Sequence, residues 1–351
     1  MPDLRVAIIG YGLAGRTFHG PLIAATDGLT VAAIVTSDAG RGAQAAAEHP
    51  HAKVHPSPAR LWERSGDIDA VVIATANDAH VELATAAVDR GLGVVVDKPL
   101  APRAEAAEAL IEHAERAGVL LTVFQNRRWD SDQLLLAQVM SSGGLGTVLR
   151  CESRLERWRP DPDPARWRDA TSSAEGGGQL LDLGSHLVDQ ALHRFGPVTH
   201  VYAEIARRRG QAGDDDAFLA LTHAGGVISH LRASAVTAAP GPRLRVLGSE
   251  AALIVPEPDT QEDRLRAGER PDRVEAWGVE RTPNRPRLIA GERSVPLTGP
   301  PGDWPAFYAL LRDALSSGGP PPVDPRDALA GLRVIEAART SAATHAVVPL
   351  S

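Results

Sequence analysis

The sequence has almost no cysteine and almost no lysine, and it has no long apolar run. Its one cysteine, Cys151, excludes an internal disulfide framework and fits a reducing compartment, so we expect a cytoplasmic protein. No stretch approaches the roughly 18 apolar residues that a transmembrane helix needs. The N-terminus lacks the basic region and cleavage site of a signal peptide and runs directly into a strand-like segment. We therefore expect no membrane partner.

An excess of positive charge is also missing. The 37 basic residues are outnumbered by 44 acidic ones, and the net charge of -7 argues against a nucleic-acid partner. A hydrophobic content of 43% and a charged content of 23% are typical of a globular chain and exclude a disordered one. A chain of 351 residues usually divides into two domains.

Lysine is so rare that the two lysines, Lys53 and Lys98, need an explanation. The other 35 of the 37 basic residues are arginine, so lysine is replaced wherever arginine suffices. Lys53 lies in a polar stretch and has no role that we can argue. Lys98 ends the apolar run GVVVDKPL, which favours a functional lysine over the alternative, an ordinary surface side chain at a strand end.

The first third of the chain alternates continuously apolar strand-like runs with alanine-rich helical segments. The predicted strands are 4–10, 30–36, 69–75, 93–97 and 119–124. The predicted helices are 14–25, 39–48, 79–90 and 102–117, the last starting at Pro102 and closing at Gly118. Continuously apolar strands that alternate with helices predict an α/β fold, a doubly wound parallel sheet of the Rossmann type.

The pattern changes near residue 124. Helical signals at 131–142 and 180–195 are followed or flanked by alternating strand-like stretches at 147–158, 198–208, 216–223, 227–237 and 243–255. We expect surface loops over 256–302 and two final helices near 303–317 and 325–343. The prediction is therefore a Rossmann domain over 1–123 and, over 124–351, an α+β domain with a mostly antiparallel open sheet.

A glycine-rich motif, G-x-G-x-x-G at residues 10–15, lies directly between the first predicted strand and the first predicted helix. The first glycine allows the tight turn, the second lets a pyrophosphate approach the backbone, and the third lets helix and strand pack closely. The helix N-terminus would face the phosphates with free N–H groups. We expect Gly10, Gly12, Leu13, Ala14 and Gly15 to bind a dinucleotide.

The end of the second strand bears on which dinucleotide is bound. Thr36 stands where an acidic residue normally bonds the adenosine ribose, and Ser37 follows. Hydroxyls with the nearby Arg41 can hold a 2′-phosphate, which favours NADP. A shift of one residue would place Asp38 at that position and favour NAD. Thr36 and Ser37 can also be read as an N-cap, which fits either cofactor.

Polar residues follow the next two strands as well. Thr75 and Asn77 end the third strand, and His80 begins the helix after it. Lys98 ends the fourth strand, followed by Pro99, and a cis bond between them is compatible with the sequence. Ligands of open α/β sheets bind beyond the carboxyl ends of the strands, so we expect Thr75, Asn77, His80 and Lys98 to face the cofactor crevice.

In the second domain, Asp182 and His186 are four residues apart and would lie on one face of a helix. A carboxylate beside an imidazole can orient it and set its basicity. The structural alternative is Asp182 as an N-cap and His186 as a packed helix residue. A metal site would need more ligands than His193, one heptad further, so we expect no metal.

Together these motifs resemble the glucose–fructose oxidoreductase / inositol dehydrogenase / rhizopine catabolism (Gfo/Idh/MocA) family over essentially the whole chain. The resemblance rests on residues 10–15, 74–77 and 97–99 and on Asp182 with His186, in that order. Asp-Lys-Pro at 97–99 is a conservative departure from the Glu-Lys-Pro that is usual in the family. Residues 126–130 and 183–186, with Tyr11 in the glycine loop, are similar to the NADP-linked scyllo-inositol dehydrogenase branch.

The resemblance implies hydride transfer between the nicotinamide and a ring carbon that bears a hydroxyl, and a sheet domain that forms homodimers or homotetramers. It implies that Lys98, Asp182 and His186 are the catalytic residues. His186 suits the base, because its ordinary pKa lies near neutrality. Lys98 is a compact donor for ribose and substrate hydroxyls, and Asp182 would orient substrate and His186.

Polar and aromatic side chains that follow the fifth strand, and a second such group downstream, are candidates for the substrate pocket: Asn126, Arg127, Trp129, Arg166 and Trp167. Polyols are recognised by fixed polar donors and flat aromatic surfaces. An ordinary structural cluster at the domain junction is the alternative for these residues.

The main hypothesis is an NADP-preferring dehydrogenase or reductase whose substrate is a cyclitol or sugar, with NAD as the alternative cofactor. A redox-assisted glycoside-cleaving enzyme on the same scaffold is a second hypothesis. A third is a non-enzymatic NAD(P) sensor, against which the joint presence of Lys98, Asp182 and His186 argues.

Overall fold

The computed structural model describes residues 3–163, 171–172, 176–280 and 285–350. These residues form two compact units. The first combines Met1–Asn126, Thr260–Trp277 and Asp303–Leu329, and the second combines Arg127–Asp259, Gly278–Gly302 and Ala330–Ser351.

The strands and helices are numbered in chain order. The strands are β1 Leu4–Ile9, β2 Leu29–Val35, β3 Lys53–His55, β4 Ala70–Ile73, β5 Gly93–Asp97, β6 Leu121–Phe124, β7 Val148–Glu156, β8 Val198–Ala206, β9 Asp216–His223, β10 Ile228–Ser234, β11 Leu244–Gly248, β12 Ala252–Val255, β13 Arg287–Ala290, β14 Arg293–Pro296 and β15 Val348–Pro349. The α-helices are α1 Gly20–Ala24, α2 Ala39–Glu48, α3 Pro58–Trp62, α4 His80–Val88, α5 Ala104–Ala117, α6 Ser131–Ser141, α7 Ser185–Phe195, α8 Gln261–Arg266, α9 Pro305–Ser317 and α10 Pro325–Thr344. π-helical segments Ala14–His19 and Leu180–Gly184 lead directly into α1 and α7.

The first unit contains a six-stranded, all-parallel sheet in the order β3-β2-β1-β4-β5-β6. The strand order reverses between β1 and β4, the switch point at which doubly wound sheets bind dinucleotides. Residues 6–9 and 94–96 are at most 1% exposed, as expected for strands covered on both faces. The predicted Rossmann sheet is confirmed.

The second unit contains a nine-stranded sheet in the order β14-β13-β12-β11-β7-β10-β9-β8-β15. Its pairs are antiparallel except for β7 with β10, so the predicted mostly antiparallel sheet is confirmed. Leu136 of α6 packs in a buried cluster with Cys151 of β7 and Val246 of β11. Burial raises the pKa of the Cys151 thiol to about 12, which makes this cysteine a core residue without thiolate chemistry.

Several predicted boundaries were wrong. The stretch 243–255 is two strands, β11 and β12, because the chain turns between them at residues 249–251. The stretch 256–302 is not only loop, since it contains α8 and the edge hairpin β13–β14. Helix α5, predicted to start at Pro102, starts at Ala104, with Arg103 in extended conformation before it. Gly118 closes that helix with φ 64°, as predicted.

The composition of the first unit differs from the expected division at residue 123. Residues 260–277 and 303–329, predicted to lie in the second domain, cluster with the first unit. The physical reason is aromatic packing: the rings of Phe307 and Tyr308 on α9 lie 5.0 and 5.9 Å from that of Phe124 at the end of β6. Across the described ranges, no helix combines the length and apolarity that crossing a bilayer requires.

Candidate cofactor site and active site

The glycine loop that joins β1 to the first helix has a backbone that only glycine can adopt. Gly10 has φ 99°, and a Cβ there would lie 2.5 Å from the Ala74 carbonyl oxygen. A Cβ on Gly15 would collide with the Gly10 carbonyl oxygen. At Gly12 the nearest atom to a Cβ is 3.9 Å away, on the Arg41 guanidinium, so the backbone there is open to a ligand.

The helix after this loop presents free N–H groups at its start. Leu13 precedes the helix, its side chain is 45% exposed, and it makes no side-chain cap. Ala14 is the first helical residue, and the first intrahelical bond runs from the Arg16 N–H to the Gly12 carbonyl. The uncapped N–H groups and the positive end of the helix dipole suit a pyrophosphate, so the loop fits a dinucleotide.

The segment after β2 places Thr36 as the first residue beyond the strand. Asp38 extends its carboxylate forward and accepts the backbone N–H of Arg41 at 2.8 Å, so Asp38 is the N-cap of α2. Ser37 and Arg41 are exposed. Within the part of the chain that the structure describes, the Arg41 guanidinium makes no hydrogen bond or ion pair, and it lies beside Gly12. Hydroxyls and the Arg41 guanidinium therefore lie at the end of β2, and Oδ1 of the nearby Asp38 carboxylate is engaged in the N-cap hydrogen bond.

The residues after β4 and β5 are tied together by His80. The buried His80 ring places Nδ1 2.8 Å from the Pro99 carbonyl oxygen and Nε2 3.3 Å from the Thr75 carbonyl oxygen. Asn77 is also buried, and Thr75 is half-buried. Both partners are acceptors and a neutral imidazole has one N–H, so the ring donates to one of them, and the shorter distance favours the Pro99 carbonyl.

Lys98 is half-buried directly after β5, at the carboxyl end of the sheet. Its backbone N–H donates to Oδ1 of Asp97 at 2.9 Å, and its bond to Pro99 is cis. Lys53, by contrast, is exposed on β3 and pairs with Asp67 at 3.3 Å. The two lysines therefore lie in different surroundings, and Lys98 is the one at the cofactor end of the strands.

Asp182 and His186 lie in one continuous helix of the second unit, Asp182 in the π-helical segment and His186 in α7. His186 is buried, with 6% of its surface exposed, and Asp182 is half-buried. The helix over 180–195 begins and ends where the sequence predicted.

Asp214, which sequence reasoning missed, fixes the start of this helix. Its Oδ2 accepts the Leu180 N–H at 2.7 Å, and its carbonyl oxygen accepts the Gln179 N–H at 2.8 Å. Gly178 has φ 91°, and a Cβ there would collide with the Asp214 carboxylate. Asp214 therefore caps the helix that carries Asp182 and His186. The run of three aspartates that leads into β9, residues 214–216, was the available signal.

The residues that follow β6 form a turn of 3₁₀-helix, Asn126–Trp129. Asn126 and Arg127 are each 6% exposed. Arg127 pairs with Asp130 at 3.2 Å, and Arg128 makes a bidentate pair with Asp189 at 2.9 and 2.6 Å. Arg127 and Arg128 therefore have a structural role in holding this turn in place. The predicted substrate residues Arg166 and Trp167 lie outside the described residues.

Arg243, a second residue that sequence reasoning missed, joins this cluster from the start of β11. Its guanidinium donates to Ser153 at 2.6 Å and to Gln190 at 2.9 Å, and it lies 2.8 Å from Asp132. Gln190 in turn donates to the Arg127 carbonyl at 2.9 Å. No local sequence pattern around Arg243 indicates these contacts, because their partners are distant along the chain.

Metal ligation finds no support in the described ranges, where no three His, Cys, Asp or Glu side chains are grouped to hold an ion. His193, one heptad after His186, is exposed. The first unit thus carries a dinucleotide-type loop and Lys98, and the second unit carries the carboxylate of Asp182 and the imidazole of His186 on one helix.

Comparison with known proteins agrees with this geometry. Residues 4–125 match the oxidoreductase family with an NAD-binding Rossmann fold, and residues 134–254 match the GFO/IDH/MocA C-terminal domain. The oxidoreductase YdgJ of Escherichia coli is 37% identical, covering 99% of both chains. The scyllo-inositol 2-dehydrogenase (NADP(+)) IolW of Bacillus subtilis is 34% identical, covering 96% of this chain and 93% of its own. The solved structure of YPO2259 from Yersinia pestis superposes with a TM-score of 0.92 at 37% identity, covering 100% and 98% of the two chains.

Proposed function

The chain belongs to the Gfo/Idh/MocA family of NAD(P)-dependent oxidoreductases, and from that premise we propose that it is an NADP-preferring dehydrogenase of a cyclitol or sugar. The observation that carries the cofactor preference is that Oδ1 of Asp38 accepts the N-cap hydrogen bond while the Arg41 guanidinium makes no hydrogen bond or ion pair with the described residues. The substrate class is supported by the similarity to IolW, which is named a scyllo-inositol 2-dehydrogenase.

The preference for NADP follows from charge. A 2′-phosphate carries negative charge and three acceptor oxygens, which arginine and hydroxyl groups bind and a carboxylate repels. Asp38 is the one carboxylate within two residues of Thr36, and its Oδ1 is directed to the N–H of Arg41 instead of to the crevice. Thr36, Ser37 and Arg41 are then the groups that hold the phosphate, and the N-cap hydrogen bond to Oδ1 turns Asp38 toward its own helix.

Each catalytic side chain has one task in this proposal. His186 takes the proton from the substrate hydroxyl, Lys98 donates hydrogen bonds to the ribose and the substrate hydroxyl, and Asp182 orients the substrate and His186. A bound nicotinamide would supply the hydride acceptor for the carbon that bears the hydroxyl. General acid–base catalysis of this kind contributes roughly 10²- to 10⁴-fold, and positioning supplies much of the rest.

Two further properties belong to the proposal. The open face of the nine-stranded sheet is the surface on which a homodimer or homotetramer would form, and the protein would act in the cytoplasm with a small-molecule polyol as its partner. Size-exclusion chromatography with light scattering measures the first of these directly.

The experiment that tests the proposed function is a screen of inositol isomers and common aldoses with NADP and with NAD, followed by absorbance at 340 nm. We expect reduction of NADP by at least one polyol, with a higher kcat/KM for NADP than for NAD. Cofactor that stays bound until the protein unfolds, without bulk absorbance change but with cleavage of a glycoside, would instead indicate redox-assisted glycoside cleavage.

A further inference from the structure

In the first unit, polar contacts run from Tyr308 through the buried His19 and Asp97 to the backbone of Lys98. His19, in the helix that follows the glycine loop, is fully buried. Its Nδ1 lies 2.6 Å from the hydroxyl of Tyr308 on α9, and its Nε2 lies 4.0 Å from Oδ1 of Asp97 at the end of β5. The same Oδ1 accepts the backbone N–H of Lys98 at 2.9 Å. The helix after the glycine loop, α9 and the end of β5 therefore meet next to Lys98.

The protonation state of this chain is set by burial. Burial lowers the pKa of His19 to about 4, with Asp97 opposing that shift and His80 adding to it, so the ring is neutral near pH 7. Burial also raises the pKa of Tyr308, which keeps its hydroxyl protonated. A neutral imidazole has one N–H donor and one acceptor nitrogen.

Only one tautomer of His19 satisfies both contacts. If Tyr308 donates to Nδ1, the ring proton is on Nε2 and faces the Asp97 carboxylate. In the other tautomer the lone pair of Nε2 would face that carboxylate, which is repulsive in a buried site. Among the described residues Nε2 has no hydrogen-bond partner, so Asp97 is the negative charge toward which its N–H is directed.

We propose that His19, with its tautomer fixed by Tyr308, is a positioning residue that orients the Asp97 carboxylate and, through it, the backbone of Lys98. The inference rests on the proposed function, in which Lys98 is catalytic. At 4.0 Å the N–H and the carboxylate interact electrostatically without a hydrogen bond, and the low dielectric of the interior strengthens that interaction.

A purely packing role is the alternative, because the His19 ring lies 4.4 Å from that of Phe124. Tyr308→Phe separates the two roles, since it keeps the aromatic ring and removes only the hydroxyl. Thr122→Val is the matched control. It removes another buried hydroxyl of the same unit, which donates to the Val323 carbonyl at 2.8 Å and has no contact with Asp97.

The test has a kinetic arm and a spectroscopic arm. In the kinetic arm, kcat and KM are measured across pH 6–10 for Tyr308→Phe, Asp97→Asn, their double variant and Thr122→Val. We expect kcat to fall on the order of 10-fold in Tyr308→Phe, with a shifted pH profile and an unchanged KM for the polyol. The double variant should be no worse than Asp97→Asn alone, and Thr122→Val should keep kcat. Additive losses, or an equal loss in Thr122→Val, would overturn the proposal.

In the spectroscopic arm, ¹⁵N NMR of the intact protein labelled at histidine reports which ring nitrogen of His19 is protonated. We expect the Nε2–H tautomer in the wild type and a mixture of tautomers in Tyr308→Phe. An Nδ1–H tautomer in the wild type would overturn the chain of contacts. This arm needs no turnover, so it tests the His19 tautomer on which the inference depends separately from the proposed dehydrogenase activity.

Discussion

Arg41→Ala should weaken the use of NADP and leave the use of NAD unchanged. The Arg41 guanidinium makes no hydrogen bond or ion pair with the described residues, so its removal costs the folded protein little. Any loss of NADP turnover therefore measures an interaction with the 2′-phosphate, the one group that distinguishes the two cofactors. The position of Arg41 supports this reading, because its side chain lies beside Gly12 in the open part of the glycine loop.

The size of the effect follows from the exposure of Arg41. Hydrogen bonds to charged groups contribute roughly 1.5–3 kcal/mol, which corresponds to about 10- to 150-fold in kcat/KM. Because Arg41 is exposed, solvent and salt screen the interaction. We therefore expect a loss of about 10- to 30-fold for NADP at low ionic strength, shrinking as salt is added.

The assay is the kcat/KM for each cofactor, measured at 340 nm with saturating polyol at two salt concentrations. Arg60→Ala is the matched control, because Arg60 is an exposed arginine of the same unit that pairs only with Glu63 among the described residues. It should leave both cofactors as in the wild type. Equal losses for NADP and NAD in Arg41→Ala, or no loss for NADP, would refute the argument.

Three further changes have definite expected results. Lys98→Arg should lower kcat by at least about 10²-fold while circular dichroism stays that of the wild type, because arginine cannot replace a compact donor; near-normal turnover would remove Lys98 from the mechanism. Thr36→Asp should shift the ratio of kcat/KM toward NAD, and an unchanged ratio would show that Thr36 is not beside the ribose. The pKa of His19 is about 4 in the folded protein and about 6.5 in the unfolded chain. Its contribution to the free energy of unfolding is therefore complete above pH 6.5 and is lost as the pH falls to 4. Urea unfolding at pH 7 and pH 4.5 should therefore show about 2 kcal/mol less acid destabilisation in His19→Gln than in the wild type, with His51→Gln as the control for losing an exposed imidazole.

The sequence predicted the parts of the fold that local patterns encode. β5 and α2 have the predicted bounds because each is a single uninterrupted pattern, an apolar run or an alanine-rich helix with an N-cap. β3 was missed, since its three residues are polar or half-buried and become a strand only by pairing with β2. A pairing partner of that kind is absent from any local window of sequence.

Contacts between distant segments were equally beyond prediction. Gln261 accepts from the Trp277 indole at 3.0 Å and from the Trp304 backbone at 2.8 Å, which ties the two late segments of the first unit to each other. His19 and Tyr308 are separated by 289 residues along the chain. The glycine loop and Lys98 could be predicted because motif and strand end are adjacent in sequence. His19 and Tyr308, whose contacts reach Asp97 next to Lys98, could not be predicted from local sequence.

The most direct test of the central claim is the fate of a carbon-bound hydrogen. scyllo-Inositol deuterated at its ring carbons is incubated with the enzyme and NADP, and the reduced cofactor is examined by NMR. The proposed hydride transfer predicts deuterium at C4 of the nicotinamide, on one face of the ring, and no deuterium transfer in Lys98→Arg. If reduced cofactor forms without deuterium, or if neither scyllo-inositol nor any other deuterated polyol reduces the cofactor, the chain is not the polyol dehydrogenase proposed here.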